Sequence, residues 1–394
     1  MGITFGAGVN IGVGGSNFLG GMNIGNPQLK PAPASIVPST QTVSASVGNP
    51  ITTTLAYTAT NFVGTVTYSL SGGTLPTGLS FLTTSGQISG TPTQTQGSTI
   101  YTVTAVGSSS GSATATITLS VIITSYTVQY LVVAGGGGGS ASTRGAGGVG
   151  GGGGVLATCA SFTIGTTYTI SVGGGGTGAV ASPSGQRCGT SGSPSTISGP
   201  GFTTITAYGG GRGGSSFGPG SPTVCIAGAP GGSGGGGAGS PGFGNAYGYP
   251  SPAPLFYTPG GAQGYPGGGS VNGAGGGGGA GGAGGAGTPG TANSGPSGPG
   301  YTWPYNGTSY GAGGNPGPNL SPVTLKDAAA NTGKGGSGSS TGRAGNAGSG
   351  IVILAVPTPN FTGPSAAPGA SVSNPGSAPG KTVLTYPSGG SYTA

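Results

Sequence analysis

The sequence lacks histidine and glutamate altogether and has a single acidic residue, Asp327. General acid–base catalysis draws on His, Glu, Asp, Lys, Tyr or Cys with a matched pKa, and hydrolysis by paired carboxylates needs two acids. A Ser-His-Asp or Cys-His unit is impossible without histidine. Metal sites usually need carboxylates, histidines or clustered cysteines. We therefore predict that the protein is not an enzyme and that it binds no cofactor and no metal.

Charge of either sign is scarce, since the net charge of +7 arises from only eight Lys and Arg. Nucleic-acid binders cluster their cations into a patch or stripe, whereas these are scattered, so we expect no nucleic-acid partner. No run approaches the ~20 apolar residues of a membrane helix, which predicts no membrane insertion. The first residues lack the basic start and unbroken apolar core of a signal peptide. We expect assembly in a cytoplasm and action elsewhere.

Cysteine is also rare, with Cys159, Cys188 and Cys225 at spacings unlike a CxxC pair. One disulfide with a free thiol, or three buried thiols, are both open. We favour small buried hydrophobic residues.

Glycine and proline are abundant instead, at 101 and 33 of 394 residues. Such a level is typical of low complexity unless a period is present. The composition divides the chain into four regions, and the predicted domains are a docking peptide with a linker, a β-sandwich, a glycine-rich domain, and a linker with a C-terminal strand: residues 1–34, 35–122, 123–357 and 358–394.

The first region mixes glycine with spaced apolar residues that alternate as in short strands. Such a segment cannot bury itself, so we predict that it docks into a partner protein; the alternative is a strand packed on its own chain. The candidate docking residues are Ile3, Phe5, Val9, Ile11, Val13, Phe18 and Leu19. A proline-rich, semi-rigid linker follows at 26–35.

Residues 35–122 contain runs rich in Thr, Val, Ile and Tyr with period-two alternation, separated by turn residues at short intervals. This pattern predicts an antiparallel β-sandwich of about seven strands. In "GSATATITLSV" the residues expected to face the core are Ala113, Ala115, Ile117, Leu119 and Val121.

The stretch "LPTGLSFLTTSGQISGTPTQ", residues 75–94, carries a family resemblance. Its pattern LPxGLxF…SGxIxGTPT resembles the Ig-like domains of bacterial surface proteins and phage virion proteins, which implies a spacer or brace. Cadherin-like relatives bind calcium through carboxylates. No acidic residue lies between 35 and 122, so that function is not implied here.

The glycine-rich region is not collagen-like, because glycine does not occupy every third position. In "GGAGGAGGAG", residues 278–287, alanine does so instead. A polyproline-II-type helix has three residues per turn, so the alanines would form one face and glycines the other two. Bare faces allow neighbouring helices to exchange the backbone hydrogen bonds that this helix cannot make internally. We predict a lattice of polyglycine-II helices edged by short β-strands.

The edges of this region are apolar. A buried strand leads into "YLVVAGGGGG", a hairpin is expected in "SFTIGTTYTISVGGGG" at 161–176, and "GSGIVILAVP" at 348–357 reads as a further strand. This trio resembles the glycine-rich domains of tailed-phage fibre and appendage proteins, which are similar to polyglycine-II adhesins. The C-terminal "SYT" echoes "SYT" at 125–127 and is either another strand or the start of a lost repeat.

Two aromatic segments, 245–266 and 300–311, interrupt the glycine runs. We expect them to be loops at an end of the lattice, where amphipathic rings give rigid contact area. The rings either bind a receptor or fold back to cap the lattice. The candidate receptor-binding residues are Tyr247, Tyr249, Phe256, Tyr257, Tyr265, Tyr301, Trp303, Tyr305 and Tyr310.

The order of attachment peptide, spacer and tip, together with the resemblance, implies a phage virion fibre or appendage protein that acts outside the cell. We expect other virion proteins to bind the N-terminus. The expected receptor is a host surface polysaccharide or an outer-membrane protein. The alternative function is a purely structural virion component, such as a decoration, neck or baseplate fibre.

Overall fold

The computed structural model describes residues 32–51, 56–142, 146–180, 188–215, 227–239, 263–270, 273–288, 294–315, 327–340 and 342–394. All seven candidate docking residues, Ile3, Phe5, Val9, Ile11, Val13, Phe18 and Leu19, lie outside these ranges. The chain divides into two units, Met1–Ile122 and Ile123–Ala394. The regular structure of both is almost entirely β-strand, as predicted.

The first unit is built from strands rich in β-branched residues, which suit a pleated, half-buried surface. A four-stranded sheet has the order β2-β8-β7-β4, and β1-β3 and β5-β6 form two small sheets. The strands are β1 Ser35–Val37, β2 Thr40–Ser46, β3 Thr58–Thr60, β4 Val66–Ser71, β5 Leu79–Phe81, β6 Ile88–Gly90, β7 Gln96–Gly107 and β8 Ser112–Ile122.

One pairing departs from the predicted antiparallel arrangement, because β2 runs parallel to β8. Parallel neighbours need a long connection between them, and five strands intervene here. The core assignment for β8 is confirmed. Ala115, Ile117, Leu119 and Val121 are buried in the core, and Ala113 packs partly against it.

The resemblance motif forms the β5–β6 hairpin-like pair, and two of its glycines are required by geometry. Gly78 and Gly90 have φ of 91° and 114°, a region that side chains with a Cβ rarely adopt. A Cβ on Gly90 would lie 2.2 Å from the Gly78 carbonyl oxygen. The motif glycines therefore allow the two strands to approach closely.

The second unit contains two larger sheets and one short hairpin. A five-stranded sheet has the order β10-β9-β16-β18-β17, and a four-stranded sheet has the order β13-β12-β11-β19. The strands are β9 Ser125–Val133, β10 Val155–Thr163, β11 Thr167–Ser171, β12 Ser195–Gly199, β13 Phe202–Ala207, β14 Tyr301–Thr302, β15 Ser309–Tyr310, β16 Ile351–Pro357, β17 Ser371–Ser373, β18 Lys381–Tyr386 and β19 Gly390–Thr393.

Side chains from both larger sheets share one apolar core. It includes Val128, Phe162, Ile197, Leu354 and Leu384. The two echoed tyrosines meet in this core, where the hydroxyl groups of Tyr126 and Tyr392 lie 2.6 Å apart.

The structure corrects one prediction at the edge of the glycine-rich region. The hairpin expected at 161–176 does not pair with itself, because β10 pairs with β9 and β11 pairs with β12 and β19. The segment 358–394, predicted as a linker with a C-terminal strand, belongs to the second unit and contains β17, β18 and β19. Strand β18 pairs with β16 along six residues.

Between the strands, the glycine segments bond to one another with a period of three. Gly135 and Gly138 donate backbone hydrogen bonds to segment 188–194, Gly136 and Gly139 donate to segment 342–350, and Gly137 and Ser140 donate to segment 146–154. The carbonyl groups of these six residues accept hydrogen bonds from three further segments. Segment 208–215 donates to the first pair, segment 172–180 to the second pair and segment 333–340 to the third pair. One glycine helix is thus surrounded by six others, which is the predicted lattice.

Burial in segment 172–180 has the same period. Gly173, Gly176 and Ala179 are buried, whereas Gly174, Thr177 and Val180 are exposed. A three-residue turn places every third residue on the same face, and the larger side chains of this segment, Thr177 and Val180, lie on the exposed face.

The stretch 278–287 differs from the predicted single helix. Gly279 and Gly282 form an antiparallel bridge, so the chain reverses at 280–281. The Gly276 N–H then donates to the Gly285 carbonyl of the returning segment at 2.9 Å. Ala283 and Ala286 are exposed, while Ala280 packs against buried aromatic residues, so the three alanines do not share one face.

Candidate functional site

The glycine segments have two ends with different surroundings. At one end they continue into β9, β10, β13 and β16. At the other, which we call the far end, backbone and serine groups of several segments meet. The Ser142 N–H donates to the Ser339 carbonyl at 3.0 Å, and the Ser215 hydroxyl donates to the Ala141 carbonyl at 2.7 Å. The residues that join these segments lie outside the described ranges, so the far end is where successive connections begin.

A single ion pair lies near the far end in the part of the chain described. Arg343 is 3.2 Å from Asp327, and Val180 bridges to Arg343 through its backbone. The Asn346 backbone N–H, followed by Arg343, holds the pKa of the Asp327 carboxyl below its usual value. Both side chains are close to half exposed, so water screens the attraction and the pair contributes little to stability.

The segment 300–311 lies at the strand end of the lattice rather than the far end. It forms the β14–β15 hairpin, in which the Trp303 N–H donates to the Thr308 carbonyl at 2.9 Å. Trp303 meets Tyr305 edge-on, with ring centroids 5.2 Å apart. The Tyr305 hydroxyl donates to the Gln129 side-chain oxygen of β9. These contacts fix the hairpin on the five-stranded sheet.

Burial separates the described receptor-binding candidates. Trp303 and Tyr310 are each only 4% exposed and pack on Leu131, Val133 and Ile353. Both are therefore corrected from receptor contacts to core residues, because the apolar face of the sheet needs a cover that glycine cannot supply. The capping alternative describes them. Tyr301 and Tyr305 are half-buried beside them.

Tyr265 is 45% exposed and is held in the lattice, where its carbonyl accepts from the Gly234 N–H at 3.0 Å. It is the most exposed of the described candidates. The remaining candidates, Tyr247, Tyr249, Phe256 and Tyr257, lie outside the described residues. The segment that carries them begins after Gly239, whose N–H donates to the Ala146 carbonyl, and ends before Gln263.

A surface groove beside β10 was not found by sequence reasoning. Its main part has a volume of about 540 Å³ and lies between β10 and β13, with Tyr301 and Ala280 at one side. A second, smaller cavity of about 290 Å³ shares Ala157 and Thr158 with the groove and is lined also by Cys159, Trp303 and Tyr305. None of the described residues that line the two cavities is charged. The strands that form it are distant in sequence, so only the tertiary structure brings them together.

Cysteine usage differs from the favoured prediction of three buried thiols. Cys188 is disulfide-bonded, and Cys159 is a free, exposed thiol on β10. The alternating exposure along the outer part of β10 places Cys159 at the surface, where a thiol is accessible to reagents. The third cysteine, Cys225, lies outside the described residues.

Replacing Trp303 is expected to lower stability before it affects binding. Trp303→Ala should reduce the free energy of unfolding by about 3–5 kcal/mol, as for other buried aromatic truncations. Trp303→Phe should cost less, because the indole N–H has no partner among the described residues and its removal leaves no buried donor unpaired. Thermal melting of both variants checks this. Equal melting temperatures for wild type and Trp303→Ala would contradict the burial of this ring.

Two family models match the chain. The one described as "Putative Ig domain" matches residues 33–122, which correspond to β1–β8. The first unit is therefore an Ig-like, all-β unit. The one described as "Glycine-rich domain" matches residues 108–357. Because this match covers more than half of the chain, the protein belongs to the glycine-rich domain family.

The comparison with curated proteins finds no match. Within the described ranges, no helix is long and apolar enough to cross a membrane, and no cluster of three or more His, Cys, Asp and Glu could hold a metal ion.

Proposed function

We propose that the protein is a phage virion fibre or appendage protein that binds a receptor on the host cell surface. The observation that carries this proposal is the grouping of segment ends at the far end of the lattice. Hydrogen bonds join Ser142 to Ser339 and Ser215 to Ala141 there. Binding loops are typically displayed side by side on a rigid scaffold, and the hydrogen-bonded glycine helices form such a scaffold.

The receptor surface is assigned to the connections at this end and to the aromatic segment that follows Gly239. Tyr247, Tyr249, Phe256 and Tyr257 remain its proposed contact residues, because tyrosine rings provide rigid, amphipathic contact area. A host surface polysaccharide or an outer-membrane protein is the proposed receptor. The N-terminal residues are proposed to attach to other virion proteins, with the Ig-like unit as the spacer.

A second candidate function is a structural virion component without a receptor. The observation that favours it is the burial of Trp303 and Tyr310, which removes two aromatic rings from any binding surface. A lattice whose backbone groups are satisfied by neighbouring helices would resist proteolysis, which suits a structural part equally well.

Replacing Tyr247, Tyr249, Phe256 and Tyr257 together by serine separates the two functions. For an adhesin, the purified variant should lose at least about tenfold in its ability to compete with particles for adsorption, which corresponds to about 1.4 kcal/mol. Its melting temperature should stay unchanged. Trp303→Phe is the matched control, because its ring is buried and adsorption should not change. Two results together would favour the structural function. The serine variant would compete as well as the wild type, and an antibody would locate the protein away from the end of the particle that contacts the receptor.

A further inference from the structure

The outer edge of β10 is an open hydrogen-bonding edge. β10 pairs with β9 in the register Val155↔Val133, and the Ala134 N–H donates to the Gly154 carbonyl. Backbone groups alternate in direction along a strand. The backbone N–H and C=O groups of the even-numbered residues of β10 therefore point toward β9. Those of Ala157, Cys159 and Ser161 point away from it.

Both ends of this open edge are occupied by other groups of the chain. The Val155 N–H donates to the Gln263 carbonyl at 2.9 Å, and the Thr163 N–H donates to the Tyr168 hydroxyl at 2.8 Å. Between them, no backbone partner for Ala157, Cys159 or Ser161 is found among the described residues on this side. The open edge thus has defined limits and solvent-exposed members.

Gln263 lies between the two sheets and forms hydrogen bonds to both. Its backbone carbonyl bonds to β10, while its side chain reaches the opposite strand, donating to the Thr206 carbonyl and accepting from the Tyr208 N–H, each at 2.8 Å. One residue therefore bonds to β10 through its backbone and to β13 and the residue after it through its side chain. The groove continues from this position along both strands.

β10 carries none of the usual protection of an edge strand. Proteins commonly blunt such edges with charges, proline, short strands or a covering element. β10 is nine residues long with the sequence VLATCASFT, so it has neither charge nor proline. The edge strand at the opposite side of the same sheet, β17, has only three residues.

From these features we propose that the open edge of β10 binds an extended, uncharged peptide segment of a partner protein as an additional strand. The segment pairs with Ala157, Cys159 and Ser161 and places alternate side chains in the groove against β13. Strand addition obtains affinity from main-chain hydrogen bonds and specificity from side-chain pockets. The pockets here are lined by Phe202, Ile205 and threonine hydroxyls, so apolar and hydroxyl side chains fit. A charged side chain would lose water without gaining a counter-ion.

Cys159 provides a direct test, because its thiol lies beside the groove. The probe is an acetylated, amidated peptide of alternating valine and threonine with one cysteine, offered as its cysteamine disulfide to the whole protein. The Cys159 thiolate attacks the peptide sulfur and releases cysteamine. At equilibrium, mass spectrometry should find at least about tenfold more adduct than with the same peptide N-methylated at alternate residues, because N-methylation removes the pairing N–H groups. Cys159→Ser should abolish the adduct.

Ala157→Pro is the matched edge variant. Its N–H faces outward, so proline removes a pairing donor without removing a bond to β9, a position that edge strands tolerate. We expect an unchanged melting temperature and loss of the preference between the two peptides. If Ala157→Pro does not fold, Thr158→Lys replaces it as the test variant. Thr158 is exposed in the groove, and the lysine should lower adduct formation.

Amide hydrogen exchange decides between occupants. Exchange at Ala157, Cys159 and Ser161 should be fast in the protein alone and slow in the adduct. Slow exchange without peptide would overturn the proposal, because the edge would then be filled by the chain itself. Equal adduct formation by both peptides would also overturn it. A third outcome would overturn it as well: a neutral oligosaccharide such as maltoheptaose binds the groove at a lower concentration than the peptide does and displaces the peptide. The groove would then be a sugar site.

Discussion

Gly137→Ala is expected to unfold the lattice at a markedly lower temperature, whereas Gly174→Ala leaves it unchanged or slightly stabilised. A Cβ on Gly137 would lie 2.1 Å from the Gly211 carbonyl oxygen, and the same atom on Gly174 would meet nothing within 4 Å. Overpacking of this kind costs about 3 kcal/mol, which lowers the melting temperature by roughly 6–12 °C in a unit of this size.

A control for these two variants compares neighbouring glycines of a single helix. Gly175 is adjacent to Gly174, but its Cβ would lie 2.1 Å from the Ala347 carbonyl oxygen. Gly174 and Gly175 do not have the positive φ that disfavours alanine, so the difference between them isolates the contact. Gly174→Ala should gain about 0.4–1 kcal/mol from lower unfolded-state entropy. Similar melting temperatures for Gly174→Ala and Gly175→Ala would refute the lattice.

Alkali is expected to unfold the second unit, while mild acid has little effect. Burial raises the pKa of Tyr386 and of Tyr392 well above the ordinary value, with the hydrogen bond to Tyr126 adding to the effect at Tyr392. Burial also raises the pKa of Tyr126 and Tyr130. A group whose pKa is higher in the folded state stabilises the fold fully below its unfolded pKa, and this contribution is lost as pH rises.

The loss begins near pH 10, the ordinary tyrosine value. At pH 11 Tyr386 and Tyr392 alone should reduce the free energy of unfolding by about 3 kcal/mol, since each releases a proton only on unfolding. On the acid side, the lowered pKa of Asp327 gives a contribution that is present above its unfolded pKa and lost below it. Exposure keeps that contribution small, and no histidine titrates between pH 5 and 8.

Thermal melts at half-unit steps between pH 4 and 11 measure this asymmetry. Tyr386→Phe should reduce the alkaline slope by about 1.4 kcal/mol per pH unit, although it also loses the bond from the Tyr386 hydroxyl to the Ser391 carbonyl. A stability that is constant to pH 11 would show that these tyrosines are not buried as described.

Local periodicity was enough to predict the core of β8, because alternate residues of a strand necessarily share a face. It was also enough to predict glycine helices. A helix with three residues per turn has bare glycine faces, and these faces can only pack against one another. The position of the turn at 280–281 was not predictable in the same way, because "GGAGGAGGAG" contains no residue that marks a reversal.

The sequence by itself determined that this protein has Ig-like strands and a glycine lattice, because both follow from repeats of two and three residues along the chain. Only the tertiary structure decided which aromatic rings are buried, since Trp303 is covered by apolar residues of β9 and β16 that are distant in sequence. The same holds for the groove and the open edge of β10. They arise where two sheets end beside each other, and that juxtaposition depends on long-range pairing rather than on any local pattern.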